Sequence, residues 1–210
     1  MKMNHAAAMP LDETRPEPGF GVYNLKLGMW VFLLSEVMFF TSLIGAYVIL
    51  RFANPEQFAA PGEVLNVPLT AVNTFILICS SVTMVKAFAA VERDDQKGLQ
   101  LWLLATIVLG ATFVGVQVYE YIHLFRDGFV PDAQAYAAGG GPLYGSTFYL
   151  MTGFHGLHVS IGVLCLIFVF IKASRGAYSS SNVGGVEIMG LYWHFVDLVW
   201  IVLFTIVYLI

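Results

Sequence analysis

Residues 144–171 read YGSTFYLMTGFHGLHVSIGVLCLIFVFI, a run with no carboxylate, lysine or arginine that nevertheless carries His155 and His158. Roughly 20 apolar residues at about 1.5 Å each cross the hydrocarbon of a bilayer, so this stretch predicts a membrane-spanning helix with both imidazoles inside it. On a helix, positions i and i+3 share a face. Thr152, Gly156 and Ser160, at spacing four, form a neighbouring stripe of small residues where another backbone can approach closely. The segment reads as a helix made to be packed against, with its imidazoles at or beside the contact.

The remainder of the chain has the same character. Of its 210 residues 58% are hydrophobic and only 11% charged, which places it among integral membrane proteins. The net charge of -4 includes no block of like charge that would serve as a nucleic-acid arm or an acidic tail, so nucleic acid is not expected as a partner. Cys79 and Cys165 both fall in apolar segments without CxxC spacing and read as small buried hydrophobes.

Outward from that helix, four more spans are predicted. Residues 1–26 form a polar tail broken by Pro10, Pro16 and Pro18, with no apolar core of the kind a secretory signal needs. Residues 27–210 form an all-α membrane domain with spans at about 27–50, 67–91, 99–123, 144–171 and 191–210. The connector 124–142 contains GGGP, and 172–190 (KASRGAYSSSNVGGVEIMG) reads as a solvated loop rich in serine and glycine. Lys2, Arg15, Lys26, Lys86, Arg93, Lys97, Lys172 and Arg175 fall on one side of this topology, and Arg51 and Arg126 on the other. The positive-inside rule then puts the amino terminus in the cytoplasm and the carboxy terminus outside.

An ionised carboxylate at mid-bilayer costs at least about 2.5 to 3.5 kcal/mol, so each intramembrane acid needs a partner, a proton or a cavity. Glu36 lies roughly 14 Å into the first span and reads either as an acid bonded to a neighbouring helix or as a proton- or lipid-handling group. Glu120, near the outer end of the third span, reads as interfacial. Asp197 follows His194 by three residues, offering a salt bridge, a proton relay or half a metal site. His155, His158, His194, Glu36 and Asp197 are compositionally a metal set. Di-metal bundles, however, use Glu-x-x-His, and neither histidine of the fourth span has a glutamate three residues before it. No metal is assigned, and the polar groups read as interhelical hydrogen-bonding partners. The chain has no phosphate-binding glycine loop, GxSxG, HExxH or CxxCH.

The order GMWVFLLSEVMFF, NTFILICSSVTM, GVQVYEY, YGSTFYLMTGFHGLHVSIG, YWHFVDLVW closely resembles subunit III of the haem-copper terminal oxidases, over residues 27–210 and in its five-helix bacterial form. The resemblance implies a non-redox subunit of a cytochrome c or quinol oxidase in the bacterial cytoplasmic (inner) membrane. It would bind no haem or copper, these being in partner subunits, and would have no catalytic residue. It would pack against subunit I beside subunit II and a small subunit IV, hold structural phospholipid, and support proton uptake. The glutamate of the SEV motif falls on Glu36 and the acid of EY on Glu120. FHGLH supplies His155 and His158, and YWHFVD supplies Tyr192, Trp193, His194 and Asp197. Longer members have two further helices at the amino-terminal end. From the residues alone, two other readings stay open. One is a small proton-coupled transporter, raised by Glu36 and Asp197 and opposed by the lack of an internal repeat. The other is a His-rich membrane metalloenzyme.

Overall fold

The structure, a computed structural model, describes residues 24–60, 62–131 and 141–209. Five long helices make up nearly all of it: α1 Asn24–Ala53, α2 Val67–Glu92, α3 Gln96–Arg126, α4 Pro142–Ser174 and α5 Gly184–Phe204. A 3₁₀ turn, Pro55–Gln57, follows α1, and α5 runs on into a π-helical turn, Thr205–Leu209. Each of the five is long and apolar enough to cross a membrane, and the chain is a multi-pass membrane protein. Of the expected tail, residues 1–23 lie outside the described residues and 24–26 begin α1; of the GGGP connector, residues 132–140 lie outside.

Helix ends follow local chemistry. Asn66 caps α2 by accepting from Leu69 N at 3.1 Å, and Asp95 caps α3 by accepting from Gly98 N at 2.9 Å. Between α2 and α3 the chain reverses through Asp94 at φ 56, a left-handed conformation that aspartate tolerates better than most residues. The Asp94 carboxylate accepts from both Ser180 Oγ and Ser180 N at 2.6 Å, tying this turn to the α4–α5 connection. Those two bonds, the hydroxyl first, hold the exposed carboxyl below its ordinary value of 3.8.

One boundary departs from the sequence reading. Residues 184–190, expected in a solvated loop, form the first two turns of α5. The glycines there depress helix propensity, but packing outweighs it: Val186 is fully buried, Gly190 lies against Met84, and Glu187 pairs with Lys26 of α1. Cys165 is a smaller correction, since it faces outward, and both cysteines are free.

Helices α2, α3, α4 and α5 pack in a ring, each on the next and α5 back on α2, while α1 lies outside against α4 and α5. Its buried residues are Leu33, Phe40 and Tyr47, one seam at heptad spacing. At the centre of the ring is Trp193. Its indole lies between Gly110 of α3 and Gly162 of α4, and its Nε1 donates to Ser80 Oγ of α2 at 2.9 Å. Two turns on, Trp200 Nε1 donates to Thr74 Oγ1 at 2.9 Å.

Candidate functional site

The intramembrane polar residues sort into four groups, each made by side chains from different helices.

The first joins α1 to α4. His158 Nδ1 lies 2.7 Å from the Phe154 carbonyl, which can only accept, so Nδ1 carries a proton. His158 Nε2 then faces Glu36 Oε2 at 3.1 Å, and one proton has to lie between them for the contact to be attractive. Phe39 and Phe40 flank the imidazole, and Tyr192 of α5 donates to the His158 carbonyl at 3.0 Å. Glu36, His158 and Tyr192 line a groove of about 770 Å³ between α1, α4 and α5, whose other walls include Phe32, Leu164 and Phe168.

The second joins α2 to α5. Ser81 Oγ donates to Asp197 Oδ2 at 2.6 Å, and His194 Nδ1 lies 3.2 Å from the same Oγ. The acid and imidazole expected to share a face are thus connected through a serine of the neighbouring helix. His194 reaches a separate groove between α1 and α5, lined by Trp30, Leu34, Val37 and Leu198.

The third is Glu120. Its side chain is buried within the bundle, accepting from Thr70 Oγ1 of α2 at 3.0 Å and from Tyr208 OH at 3.3 Å. A polar cleft of about 600 Å³, lined by Gly62 and residues 64–69 with Tyr119, His123 and Asp127, opens beside it.

The fourth is the face of α4 toward α3. Gln117 Nε2 donates to the Thr152 carbonyl at 2.8 Å, and the hydroxyls of Tyr121 and Thr152 are 2.6 Å apart. A Cβ added at Gly156 would lie 2.8 Å from Gln117 Oε1, so the glutamine amide lies across the glycine. Thr152 and Gly156 therefore belong to a helix contact within this chain. Ser160, the third member of the stripe, instead bonds the Gly156 carbonyl of its own helix at 2.7 Å.

His155 and His158 do not act together. His155 is fully buried, donates from Nε2 to the Val196 carbonyl at 3.2 Å, and stacks on Trp200 at 4.7 Å between centroids. Its neighbour turns to α1. Among the described residues, no three side chains of the His, Cys, Asp and Glu types gather as a metal-holding group. Sequence reasoning missed Ser80, Ser81, Thr70 and Tyr208. Their signal was there: hydroxyls inside an apolar span must bond either their own helix or a neighbour.

The family Cytochrome c oxidase subunit III matches residues 20–210. The chain is 38% identical to a cytochrome c oxidase subunit 3 of Thermostichus vulcanus over 208 residues, 99% of this chain and 96% of the relative. It is 41% identical to a cytochrome c oxidase subunit 3 of a Synechocystis species over 184 residues, 87% and 74% of the two. A probable quinol oxidase subunit 3 of Staphylococcus aureus is 33% identical over 185 residues, 88% of each chain. With its five apolar helices and interhelical polar pairs, the chain belongs to the cytochrome c oxidase subunit III family.

Proposed function

We propose that this chain is the non-catalytic subunit III of a proton-translocating respiratory oxidase in the bacterial cytoplasmic membrane. It packs against the catalytic subunit I, beside subunit II and a small subunit IV, and residues 27–210 act as one membrane domain. Haem and copper reside in the partner subunits, and this chain binds none. The observation that carries the reading is how the intramembrane acids are used: Glu36, Glu120 and Asp197 each bond a side chain of another helix of the same chain. Such groups lock a helix arrangement, and a subunit whose task is to steady its neighbour needs that rigidity.

The groove between α1, α4 and α5 suits a phospholipid acyl chain. Its walls are almost wholly apolar, and within it Glu36 and His158 bond one another. At the amino-terminal ends of α1 and α5, Lys26 and Glu187, with Asp94 and Asp95 across the bundle end, form a titratable rim. On the cytoplasmic side, that rim would support proton uptake. Relatives carry both cytochrome c oxidase and quinol oxidase names, in keeping with an electron donor set outside this chain.

Purification through a tag on this chain tests the reading. The expected product is a multisubunit complex with the optical spectrum of haem, while the isolated chain carries no stoichiometric haem, copper or iron. A tightly bound metal that disappears on His155 or His158 substitution would overturn it in favour of a metalloenzyme. Topology is tested separately: a reporter inserted at residue 95 reads as cytoplasmic, and one fused after residue 210 as external.

A further inference from the structure

Thr70, the hydroxyl that meets Glu120, is placed differently from three other hydroxyls of the core. Those three give their proton to a carbonyl of their own helix and accept across the gap. Thr74 donates to the Thr70 carbonyl at 2.8 Å and accepts from Trp200, and Ser80 donates to the Leu77 carbonyl at 2.6 Å and accepts from Trp193. Thr152 donates to the Phe148 carbonyl at 2.7 Å and faces the hydroxyl of Tyr121. Thr70 Oγ1, by contrast, lies 3.0 Å from the Asn66 carbonyl and 3.0 Å from Glu120 Oε1, so its one proton stands between two acceptors.

Either placement of that proton leaves the group satisfied. With Glu120 ionised, Thr70 turns to Oε1, Tyr208 OH adds a second donor at 3.3 Å, and the Asn66 carbonyl keeps its bond from Thr70 N at 3.1 Å. With Glu120 protonated, the acid donates to Thr70 Oγ1, Thr70 donates to Asn66, and Tyr208 donates to Oε2 at 3.4 Å. Heavy atoms keep their places in both states, and only a hydroxyl turns. Glu120, 5% exposed, is also one of the residues lining the polar cleft. The start of α2 and the last two turns of α3 border this cleft, and Asn66, His123 and Asp127 in its wall are exposed, so it opens at the end of the bundle.

We infer that Glu120 is a proton-exchanging site, reached through the polar cleft at the end of the bundle opposite Lys26 and Glu187, with the Thr70 hydroxyl turning between Glu120 and Asn66 as the proton leaves and returns. On release the O–H bond of Glu120 breaks, its electron pair stays on the carboxylate, and the proton passes to a water molecule in the cleft. Uptake is the reverse, and nothing is oxidised or reduced. An acid in this setting needs a partner, a proton or a cavity, and Glu120 has access to all three. The titratable groups around it are His123, Asp127 and Tyr121 on its own helix and Tyr208 in the turn after α5. Glu63, in the segment before α2, turns away to Ala60 N at 3.3 Å, and α4 presents Phe148 to Tyr208. The inference does not depend on the subunit III reading; it gives the chain a second proton-exchanging face, remote from the charged rim at the Lys26 end.

The test is infrared difference spectroscopy of the full chain, in the complex with which it purifies, at constant ionic strength across the pH range in which that complex stays intact. A carboxylic-acid C=O band is expected at the acid end, shifted by carbon-13 glutamate, lost as pH rises and absent from Glu120→Gln. No such band at any pH means a permanently ionised acid, and a band that never fades means a sealed proton; either overturns the site. Thr70→Val keeps the shape and removes the hydroxyl, and is expected to move the same band, which assigns it even where Glu120→Gln fails to assemble. A band unmoved in Thr70→Val overturns the role of the hydroxyl. The route is tested in sealed vesicles, where labelling of Glu63→Cys by a membrane-impermeant maleimide reports which way the cleft faces. The band is expected to follow pH on that side alone, and a band that follows the opposite side overturns the cleft as the path.

Discussion

Replacing Gly110 with alanine puts a methyl group where the indole of Trp193 already lies. The new carbon would be 2.6 Å from Cη2 and 2.8 Å from Cζ2, with Val163 Cγ2 at 3.1 Å on the other side. Carbon atoms rest at about 3.5 to 4.0 Å, so the overlap is about 1 Å. The ring has little room to retreat. A Cβ at Gly162 would meet its opposite edge at 2.9 Å, and Nε1 is tethered to Ser80 at 2.9 Å. Overpacking costs typically about 1 to 3 kcal/mol, and a ring held on three sides belongs in the upper half of that range. We therefore expect Gly110→Ala to shift the folding balance of this chain by about 2 to 3 kcal/mol. Trp193→Phe removes the two clashing carbons, at a cost of its own from the lost bond to Ser80 and the space left behind. In the double variant the two costs should not add: a favourable coupling of about 1 to 2 kcal/mol is expected. Titrating the purified complexes with SDS and following helix loss and release of this chain measures all three. A Gly110→Ala complex as resistant as the parent, or strictly additive costs in the double variant, would refute the placement of Trp193 between α3 and α4.

Other expectations follow from the polar groups. Gly156→Leu displaces the Gln117 amide from the Thr152 carbonyl, and should lower resistance to SDS by about 1 to 3 kcal/mol, whereas unchanged yield and stoichiometry would count against this contact. Glu120→Gln keeps an acceptor for Thr70 and Tyr208 and should be nearly neutral; Glu120→Ala strands both and should cost about 1 to 3 kcal/mol in the same titration. Glu36→Gln preserves a bond to His158, so a haem-replete complex carrying it should still reduce dioxygen, and complete loss of that activity would put this subunit nearer the chemistry than proposed. Asp94 is held below its ordinary value, so its contribution is present above the unfolded value and lost as pH falls through the folded one. Amide exchange in residues 177–182 should therefore quicken on acidification below about pH 4, and Asp94→Asn should remove that pH dependence.

The spans were legible because the bilayer imposes a length on them: a run that crosses hydrocarbon must be apolar for about 20 residues, whatever it packs against. The first turns of α5 were not, because Gly184, Gly185 and Gly190 argue for a loop and the compensating contacts come from Met84 and Lys26, far away in the chain. The candidate polar residues were likewise legible as a set, since every acid in hydrocarbon demands an explanation, but their pairing was not. Three residues turn a helix through 300°, leaving His155 and His158 about 60° apart in azimuth. That suffices to send one to the α5 backbone and the other to Glu36 of α1. A shared-face argument cannot make that distinction without knowing where the neighbouring helices lie. The hydroxyls of Ser81 and Tyr208 were overlooked for the same reason, their importance being set entirely by the acids they face.

The division between core and edge says where exchange with the surroundings should be sought. Helix association in a bilayer draws little on the hydrophobic effect, so close packing and interhelical hydrogen bonds have to specify the arrangement. In the core of this chain they do so in antiparallel order: Trp193 bonds Ser80 and, further along α5, Trp200 bonds Thr74, earlier in α2. His155 stacks on Trp200, and Gln117 lies across Gly156. A group enclosed like this can change partner only if helices separate, which makes it a poor place for traffic with lipid, protons or another subunit. Glu36 with His158, and His194 with Asp197, stand instead on either side of α1, the helix outside the ring, and each pair borders a groove. In one pair the imidazole meets the acid directly; in the other a serine of α2 stands between them. Substitutions at these two pairs should therefore alter exchange with the surroundings before they loosen the bundle, whereas substitutions at Trp193 or Gln117 should do the reverse.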